Sequence, residues 1–173
     1  MSSINYDLQK IKAFLFDVDG ALSANVVAVS ESGEPIRTIN IKDSYAIQLA
    51  IKKGYIVGII TGAHAESVRH RYSLLGVEHI YLRSAIKIHD YLDFIEKTGL
   101  KDEEIAYVGD DIPDYPVMER VGLPIAPADG AAEIKAIAKH ISQRKGGMGL
   151  ARELIEQTLK ARGDWMCDKA FGW

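Results

Sequence analysis

A short apolar run that ends in two carboxylates constrains this chain more than any other feature. Residues 14–16 are large and apolar, and Asp17, Val18, Asp19 and Gly20 follow them directly. Such a run is typical of a strand buried on both faces of a parallel sheet. Residues two apart in an extended chain point the same way, so Asp17 and Asp19 project together from the carboxyl end of the strand. Two carboxylates 4 Å apart repel each other by about 4 kcal/mol at an effective dielectric constant near 20. The pair therefore shares a proton or holds a cation, and we expect a cation.

Strands and helices alternate along the rest of the chain. Apolar runs predict strands at residues 55–60, 79–82, 105–108, 123–126 and 140–142. Helical spacing predicts helices from residue 43 to Gly54, and at residues 65–75, 87–97, 116–121, 131–138 and 150–162, with Ser84 as the cap of the third. This alternation indicates an α/β fold with a doubly wound parallel sheet of the Rossmann-like kind.

Residues 22–41 have a different character from the segments around them. Two β-rich runs flank Gly33 and predict a β-hairpin inserted after the first strand, beside the carboxylate pair. Its exposed apolar edge needs a cover, and self-association is one way to provide it. We expect one domain over residues 1–163, with a flexible glycine-rich link at 145–149. Residues 164–173 form a C-terminal tail without a clear period, which favours a disordered end over packing on a neighbouring subunit.

Composition narrows the class of protein. The 173 residues include 21 Lys and Arg against 24 Asp and Glu, a net charge of −3 that gives no footprint for nucleic acid. Cys167 is the single cysteine, which excludes an internal disulfide framework and agrees with a reducing compartment. No apolar run has the length of a membrane span, and residues 1–7 do not have the pattern of a signal peptide. We expect a cytoplasmic enzyme that acts on a small molecule.

Polar clusters follow the predicted strands and converge at one edge of the sheet. They are Asp17 and Asp19, Thr61 and Gly62, Lys87 one helical turn further on, and Asp110, Asp111 and Asp114. Carboxylates, a hydroxyl and an ammonium group around one pocket suit phosphoryl transfer with Mg²⁺.

Each of these residue types has a role in that chemistry. Asp17 would attack phosphorus, and Asp19 would protonate the leaving alkoxide and then activate water. Asp17, the carbonyl of Asp19 and Asp110 would hold Mg²⁺, supported by Asp111 or Asp114. These last two side chains are also placed to cap the helix that begins near residue 116. Thr61, the Gly62 amide and Lys87 would hold the phosphoryl oxygens.

The same clusters, in this order, resemble the haloacid dehalogenase superfamily of phosphohydrolases. Its motifs match Asp17-Val18-Asp19-Gly20, Thr61-Gly62, Lys87 and Gly109-Asp110-Asp111. Over residues 11–153 the chain is similar to the capless phosphatases that act on 3-deoxy-octulosonate 8-phosphate. That likeness depends on residues 33–34, 40–45, 59–62, 107–111, 116–119 and 146–149. It implies a Mg²⁺-dependent phosphatase without a large cap domain, acting through an aspartyl phosphate in lipopolysaccharide precursor synthesis.

The resemblance also implies an assembly. Members of this family are homotetramers whose hairpins form a central barrel, with each pocket between subunits and covered by the glycine-rich tail of a neighbour. Arginines bind the carboxylate of the sugar, and Arg71 falls on a matching position. The chain departs from the family at Ala63, Met148 and Ala24-Asn25, where the family commonly has Arg, Arg and Asp-Gly. All three departures lie where the sugar would be recognised, which leaves the exact sugar open.

Three other functions remain open at this point. The nine-carbon analogue, a nononate 9-phosphate, is an alternative substrate that the departures permit. A phosphoacceptor signalling module also uses a strand-end Asp with acidic neighbours, Thr and Lys, although Asp19 as an acid would hasten loss of its phosphoryl group. A catalytically idle tetrameric scaffold is the third, and the intact motifs argue against it.

Overall fold

One six-stranded parallel sheet organises the protein, and it confirms the predicted fold class. The computed structural model describes residues 3–172. All strand pairs in this part of the chain are parallel, and the spatial order is β3-β2-β1-β4-β5-β6. The strands are β1 Ala13–Phe16, β2 Ile56–Ile60, β3 His79–Tyr81, β4 Ile105–Val108, β5 Leu123–Ala126 and β6 His140–Ile141.

Helices cover both faces of this sheet. They are α1 Ile41–Lys52, α2 Glu66–Ser73, α3 Lys87–Thr98, α4 Tyr115–Met118, α5 Ala132–Ile137 and α6 Leu150–Ala161. Phe14 and Phe16 point into the hydrophobic core beneath α1, α2 and α6, whereas Ala13 and Leu15 point into the core beneath α3, α4 and α5. The strand is therefore buried on both faces, as its continuous apolar run predicts.

Strand β1 lies at the centre of the sheet, which fixes where its two carboxylates go. Phe16, its last residue, pairs with Ile59 of β2 on one side and with Val108 of β4 on the other. The loops after these three strands consequently leave the sheet side by side. This register brings the segments that begin at Asp17, Thr61 and Gly109 to one edge.

The predicted hairpin at residues 22–41 turns back on itself as expected, but its two arms do not form regular strands. Within this described segment the antiparallel pairing is a bridge between Val29 and Pro35, with hydrogen bonds from Ile36 N to Ala28 O at 2.8 Å and from Ser30 N to Glu34 O at 2.9 Å. Pro35 has no N–H to extend a ladder. A two-stranded ribbon without a third strand or a packed face has little stability, and Val26 and Val29 are 90% and 65% exposed.

The glycine-rich residues 145–149 were predicted as a flexible link, but they pack against the turn after β1. Gly147 N donates to Ala21 O at 2.8 Å. A β-carbon on Gly146 would lie 2.0 Å from Gly20 O, so only glycine allows this approach. The segment therefore contacts the first carboxylate motif of its own chain.

The tail is also ordered against the domain as far as residue 172, contrary to the disorder that we expected. Tyr45 donates a hydrogen bond to Ala170 O, and Lys53 Nζ lies 2.8 Å from Asp164 Oδ1. The Arg152 guanidinium stacks over the Trp165 ring, 4.4 Å from its centroid. Trp173, which the same expectation covered, lies outside the described residues. None of the helices in the described part of the chain is long and apolar enough to cross a lipid bilayer.

Candidate active site

The largest concentration of predicted site residues lies in a cavity of about 390 Å³ at the carboxyl edge of the sheet. Every residue that the sequence assigned to the reaction or to Mg²⁺ lines this cavity, and Arg71 does not. The positions follow from topology, because the loops after β1, β2 and β4 leave adjacent parallel strands at the same edge. This edge collects Asp17 and Asp19, Thr61 and Gly62, and Asp110, Asp111 and Asp114. Lys87 joins them from the first residue of α3.

Asp17 is held in one orientation by its neighbours. Its backbone N–H donates to Val108 O at 2.9 Å, which continues the pairing of β1 with β4. Val18 N donates to Oδ1 of the side chain at 2.7 Å, and Lys87 Nζ lies 2.9 Å from Oδ2. The carboxylate is buried and its two oxygens have different partners. This is the fixed geometry that a nucleophile requires.

Asp114 organises the floor of the cavity. Its Oδ1 accepts hydrogen bonds from Lys87 Nζ at 2.7 Å and from the Tyr107 hydroxyl at 2.6 Å. Its Oδ2 accepts from the backbone N–H groups of Asp110 at 3.0 Å and Asp111 at 3.4 Å. The residue has no exposed surface. Asp114 thus fixes both the ammonium group of Lys87 and the loop that presents Asp110, which is more than the helix cap that the sequence also allowed.

The site contains more negative charge than its one lysine offsets. Burial and the Asp114 carboxylate raise the pKa of Asp17 to about 7, although Lys87 opposes the shift. Burial and the charge of Asp17 raise the pKa of Asp110 to about 8. Burial lowers the pKa of Lys87, but the carboxylates of Asp17 and Asp114 outweigh it and the net change is upward. Lys87 is therefore protonated, and the cluster favours a further cation.

The oxygen atoms at this edge fit a divalent cation. One carboxylate oxygen from each of Asp17, Asp110 and Asp114 lies within 4.8 Å of the others. Each oxygen of Asp114 already accepts two hydrogen bonds, whereas each oxygen of Asp17 has one partner, which leaves Asp17 and Asp110 as the carboxylates available to a metal. An all-oxygen set of this kind suits Mg²⁺. The carboxylate of Asp19 is not part of this group, and the metal contact that we expect from Asp19 is through its backbone carbonyl.

Thr61 and Gly62 form the wall of the cavity after β2. Thr61 N donates to Tyr81 O at 3.0 Å, and its Oγ1 accepts from Ala63 N at 3.2 Å. The hydroxyl hydrogen of Thr61 remains available, since Oγ1 acts here as an acceptor. The wall can therefore donate to an anion in the cavity.

Asp19 has a partner that the sequence did not suggest. Arg37, from residues 22–41, donates from Nε to Oδ1 and from Nη2 to Oδ2, both at 2.8 Å. No motif contains Arg37, and it lies in a segment that we interpreted only as an oligomerising hairpin. A single charged residue on the second β-rich run was the available signal.

Arg71 lies outside the cavity of its own chain. It lines a neighbouring groove together with Arg37 and Tyr72, and its Nη2 donates to Ser44 Oγ at 2.8 Å. Of the departures from the family, Ala63 and Asn25 line the cavity. Met148 lies on another depression with Arg144, and is 54% exposed. The predicted sugar contacts are therefore divided among three surfaces of one chain.

Comparisons with known proteins agree with this geometry. A family model described as haloacid dehalogenase-like hydrolase matches residues 79–154. The 3-deoxy-D-manno-octulosonate 8-phosphate phosphatase KdsC of Escherichia coli strain K12 is 37% identical over 155 residues, 90% of this chain and 82% of that protein. The chain belongs to this phosphatase family of the haloacid dehalogenase superfamily.

Solved structures of family members have the same fold. The 3-deoxy-D-manno-octulosonate 8-phosphate phosphatase from Yersinia pestis superposes with a TM-score of 0.87 at 32% identity, over 91% of this chain and 85% of that one. The enzyme from Moraxella catarrhalis, in complex with a magnesium ion, a phosphate ion and a KDO molecule, gives 0.86 at 30% identity, over 92% and 91%. The family places the chain among the phosphoric monoester hydrolases, as the motifs predicted.

Proposed function

We propose that the protein hydrolyses 3-deoxy-D-manno-octulosonate 8-phosphate to the free sugar acid and inorganic phosphate, with Mg²⁺ as cofactor. The observation that carries the proposal is the contact of Asp17 with Lys87 at 2.9 Å in a cavity that also contains Asp19 and Asp110. The names of the relatives support the substrate. The magnesium and phosphate ions in the Moraxella catarrhalis structure support the cofactor and the chemistry.

The reaction proceeds in two displacements at phosphorus. An oxygen of Asp17 forms a bond to phosphorus while the bond to the ester oxygen of the sugar breaks, and Asp19 gives its proton to that leaving oxygen. A water molecule then attacks the phosphorus of the aspartyl phosphate. Asp19 takes a proton from this water, the acyl phosphate bond breaks, and Asp17 is restored as a carboxylate. Atoms and charges balance over the cycle.

The remaining residues of the cavity bind and orient. Lys87, the hydroxyl of Thr61 and the amide of Gly62 hold the phosphoryl oxygens as charge moves among them. Asp17, the carbonyl of Asp19 and Asp110 hold the metal, with Asp111 and Asp114 as supports. When bound, Mg²⁺ supplies the positive charge that lets a carboxylate approach a phosphate dianion.

A nononate 9-phosphate is the second candidate substrate. Ala63 lines the cavity where the family usually has Arg, so this wall is smaller and uncharged. A longer sugar acid has more room there than in a pocket with arginine. Arg71, our proposed ligand for the sugar carboxylate, suits either acid.

We further propose a homotetramer in the cytoplasm that takes part in lipopolysaccharide precursor synthesis and binds neither nucleic acid nor membrane. The exposed apolar side chains of Val26, Val29 and Ile36 support assembly through residues 22–41. Residues 1–163 would form the phosphatase domain of each subunit, and residues 164–173 its tail.

Phosphate release from purified protein tests the proposal. We expect the eight-carbon ester to give a higher kcat/KM than the nine-carbon ester, activity to stop in EDTA, and Mg²⁺ to restore it. A higher kcat/KM for the nine-carbon ester would reverse the choice of substrate. A single turnover that leaves phosphorylated protein, without sustained release, would instead favour the phosphoacceptor module, and no reaction with any ester would favour the idle scaffold.

A further inference from the structure

An arginine outside the sequence motifs holds the residue that the proposed mechanism uses as its acid. Arg37 donates to both carboxylate oxygens of Asp19, each at 2.8 Å. Two parallel charge-assisted hydrogen bonds are stronger and more directional than a single ion contact. The Arg37 side chain is 11% exposed, whereas that of Asp19 is 46% exposed and faces the cavity. The guanidinium is therefore packed in place and presents its donors to Asp19.

This pair joins two depressions on the surface. Asp19 lines the catalytic cavity, and Arg37 lines a groove of about 350 Å³ between residues 35–39 and helix α2. Arg71 lies in the same groove, and its buried Nε has no hydrogen-bond partner within residues 3–172. A buried donor without an acceptor is costly unless a ligand supplies one. Two guanidinium groups and a spare donor suit an anionic group such as a carboxylate.

The contact with Arg37 is incompatible with the acid step. Each oxygen of Asp19 accepts a hydrogen bond from the guanidinium, so neither oxygen is free to contact a leaving alkoxide. General acid catalysis also needs the acid within hydrogen-bonding distance of the leaving oxygen. At least one of the two hydrogen bonds from Arg37 must therefore open before the ester bond breaks.

We propose that Arg37 is a specificity-determining residue that couples an anionic group of the substrate, bound in this groove, to the release of Asp19. A substrate carboxylate has the same charge and planar shape as the carboxylate of Asp19, so the guanidinium stays paired during the exchange. A phosphate ester without a second anionic group leaves the pair closed and reacts slowly. The inference rests on the proposed function, because it adds a selection step to that same site.

The test compares two esters on four proteins with Mg²⁺ present. The esters are 3-deoxy-octulosonate 8-phosphate and arabinose 5-phosphate, which has no carboxylate. The proteins are the wild type, Arg37→Met, Arg37→Lys and the control Arg120→Met. Arg120 contacts Asp102, which precedes β4 at the opposite edge of the sheet. Arg120→Met therefore changes the net charge by the same amount as Arg37→Met, but away from the cavity.

We expect the wild type to prefer the sugar acid by about 100-fold or more in kcat/KM, the lower end of what acid catalysis contributes. In Arg37→Met this ratio falls to about 10-fold or less, because kcat/KM rises for arabinose 5-phosphate and falls for the sugar acid. Arg37→Lys keeps the charge without the two-pronged contact and gives an intermediate ratio. Arg120→Met keeps the ratio of the wild type.

Other outcomes overturn the inference. An unchanged ratio in Arg37→Met, or equal losses on both esters, would show that Arg37 only stabilises the loop. Turnover of p-nitrophenyl phosphate, whose leaving group needs no proton, checks that Arg37→Met keeps its nucleophile and its fold. If Arg37→Met does not fold, the comparison is made with Arg37→Lys. A folded wild type that releases phosphate from none of these esters would overturn the proposed function as well.

Discussion

Gly20 leaves the space that the carboxylate of Asp110 occupies, since a β-carbon at residue 20 would lie 2.0 Å from Asp110 Oδ2. The two residues are far apart in the sequence and belong to the loops after β1 and β4. Through this contact the first and the last carboxylate motif lie directly against each other. The glycine of the first motif is therefore a steric requirement of the proposed cation site as well as a turn residue.

Gly20→Ala should lower phosphate release by about 100-fold, because the new methyl group displaces the Asp110 carboxylate, our proposed metal ligand, by 1 Å or more. Gly54→Ala is the matched control. Gly54 has φ of +86° against +87° for Gly20, but no atom lies within 4 Å of its β-carbon position. Both variants lose about 1–2 kcal/mol from the left-handed backbone, measured by chemical denaturation. Equal phosphate release by the two variants would contradict the steric role.

Asp17→Asn should retain less than about 1% of the turnover, because an amide is not a nucleophile toward phosphorus. Mass spectrometry of acid-quenched samples should detect a phosphorylated peptide in the wild type and none in the variant. Asp168→Asn makes the same chemical change at an exposed residue that does not line the cavity, and should leave turnover unaltered. Turnover above about 1% in Asp17→Asn would refute Asp17 as the nucleophile.

Lys87→Met should destabilise the protein by about 3–5 kcal/mol, because it leaves the buried carboxylates of Asp17 and Asp114 without their common cation. Lys97→Met is the control on the same helix. Its partner is Asp93, and both side chains are about half exposed, so water screens the pair and little stability is lost. Urea denaturation in EDTA measures both. Similar midpoints for the two variants would show that Lys87 does not balance these charges.

Asp43 should make the stability of the protein depend on pH. Its Oδ1 accepts from Arg152 N at 2.7 Å, and its buried Oδ2 has no hydrogen-bond partner in the described residues. Burial raises the pKa of Asp43 to about 6 from its ordinary 3.8. The folded state therefore binds the proton more tightly than the unfolded state. The resulting stabilisation is complete below pH 3.8 and is lost as the pH rises through about 6.

Asp43→Asn removes this titration and keeps the acceptor for Arg152 N. The unfolding free energy of the wild type minus that of the variant should fall by on the order of 3 kcal/mol between pH 4 and pH 7. Denaturation at each pH in excess Mg²⁺ keeps the contribution of the metal cluster common to both proteins. Parallel stability curves would mean that the pKa of Asp43 is the same in the folded and unfolded states.

The strands and the convergence of the motifs were predictable from the sequence because each depends on local pattern. Continuous apolar runs gave β4 and β5 with the bounds that the structure has, residues 105–108 and 123–126. Parallel topology then determined which loops meet. The cavity follows from these two facts without any knowledge of individual contacts.

Contacts between distant side chains were not predictable in this way. Ser84 was expected to cap α3, but Ile86 is at the cap position and the Ser84 hydroxyl donates to Asp90 instead. The position of Arg37 in the sequence does not indicate that its side chain reaches Asp19. An arginine on a segment that is predicted to be exposed usually contacts solvent. The prediction of two regular hairpin strands was wrong for a related reason. β propensity reflects side-chain packing on a sheet, and this segment, all of it described, lies outside the six-stranded sheet and has one isolated antiparallel bridge.

The packing of Gly146 on Gly20 has a consequence for how the enzyme folds during its synthesis. A ribosome releases the turn after β1 early, yet the backbone that supports this turn emerges only with residues 146–147, shortly before α6. Asp43, in α1, likewise waits for the amide of Arg152. A nascent chain can thus form most of its sheet while the acidic turn after β1 has no support, and phosphatase activity should begin only after residues 146–152 have been synthesised.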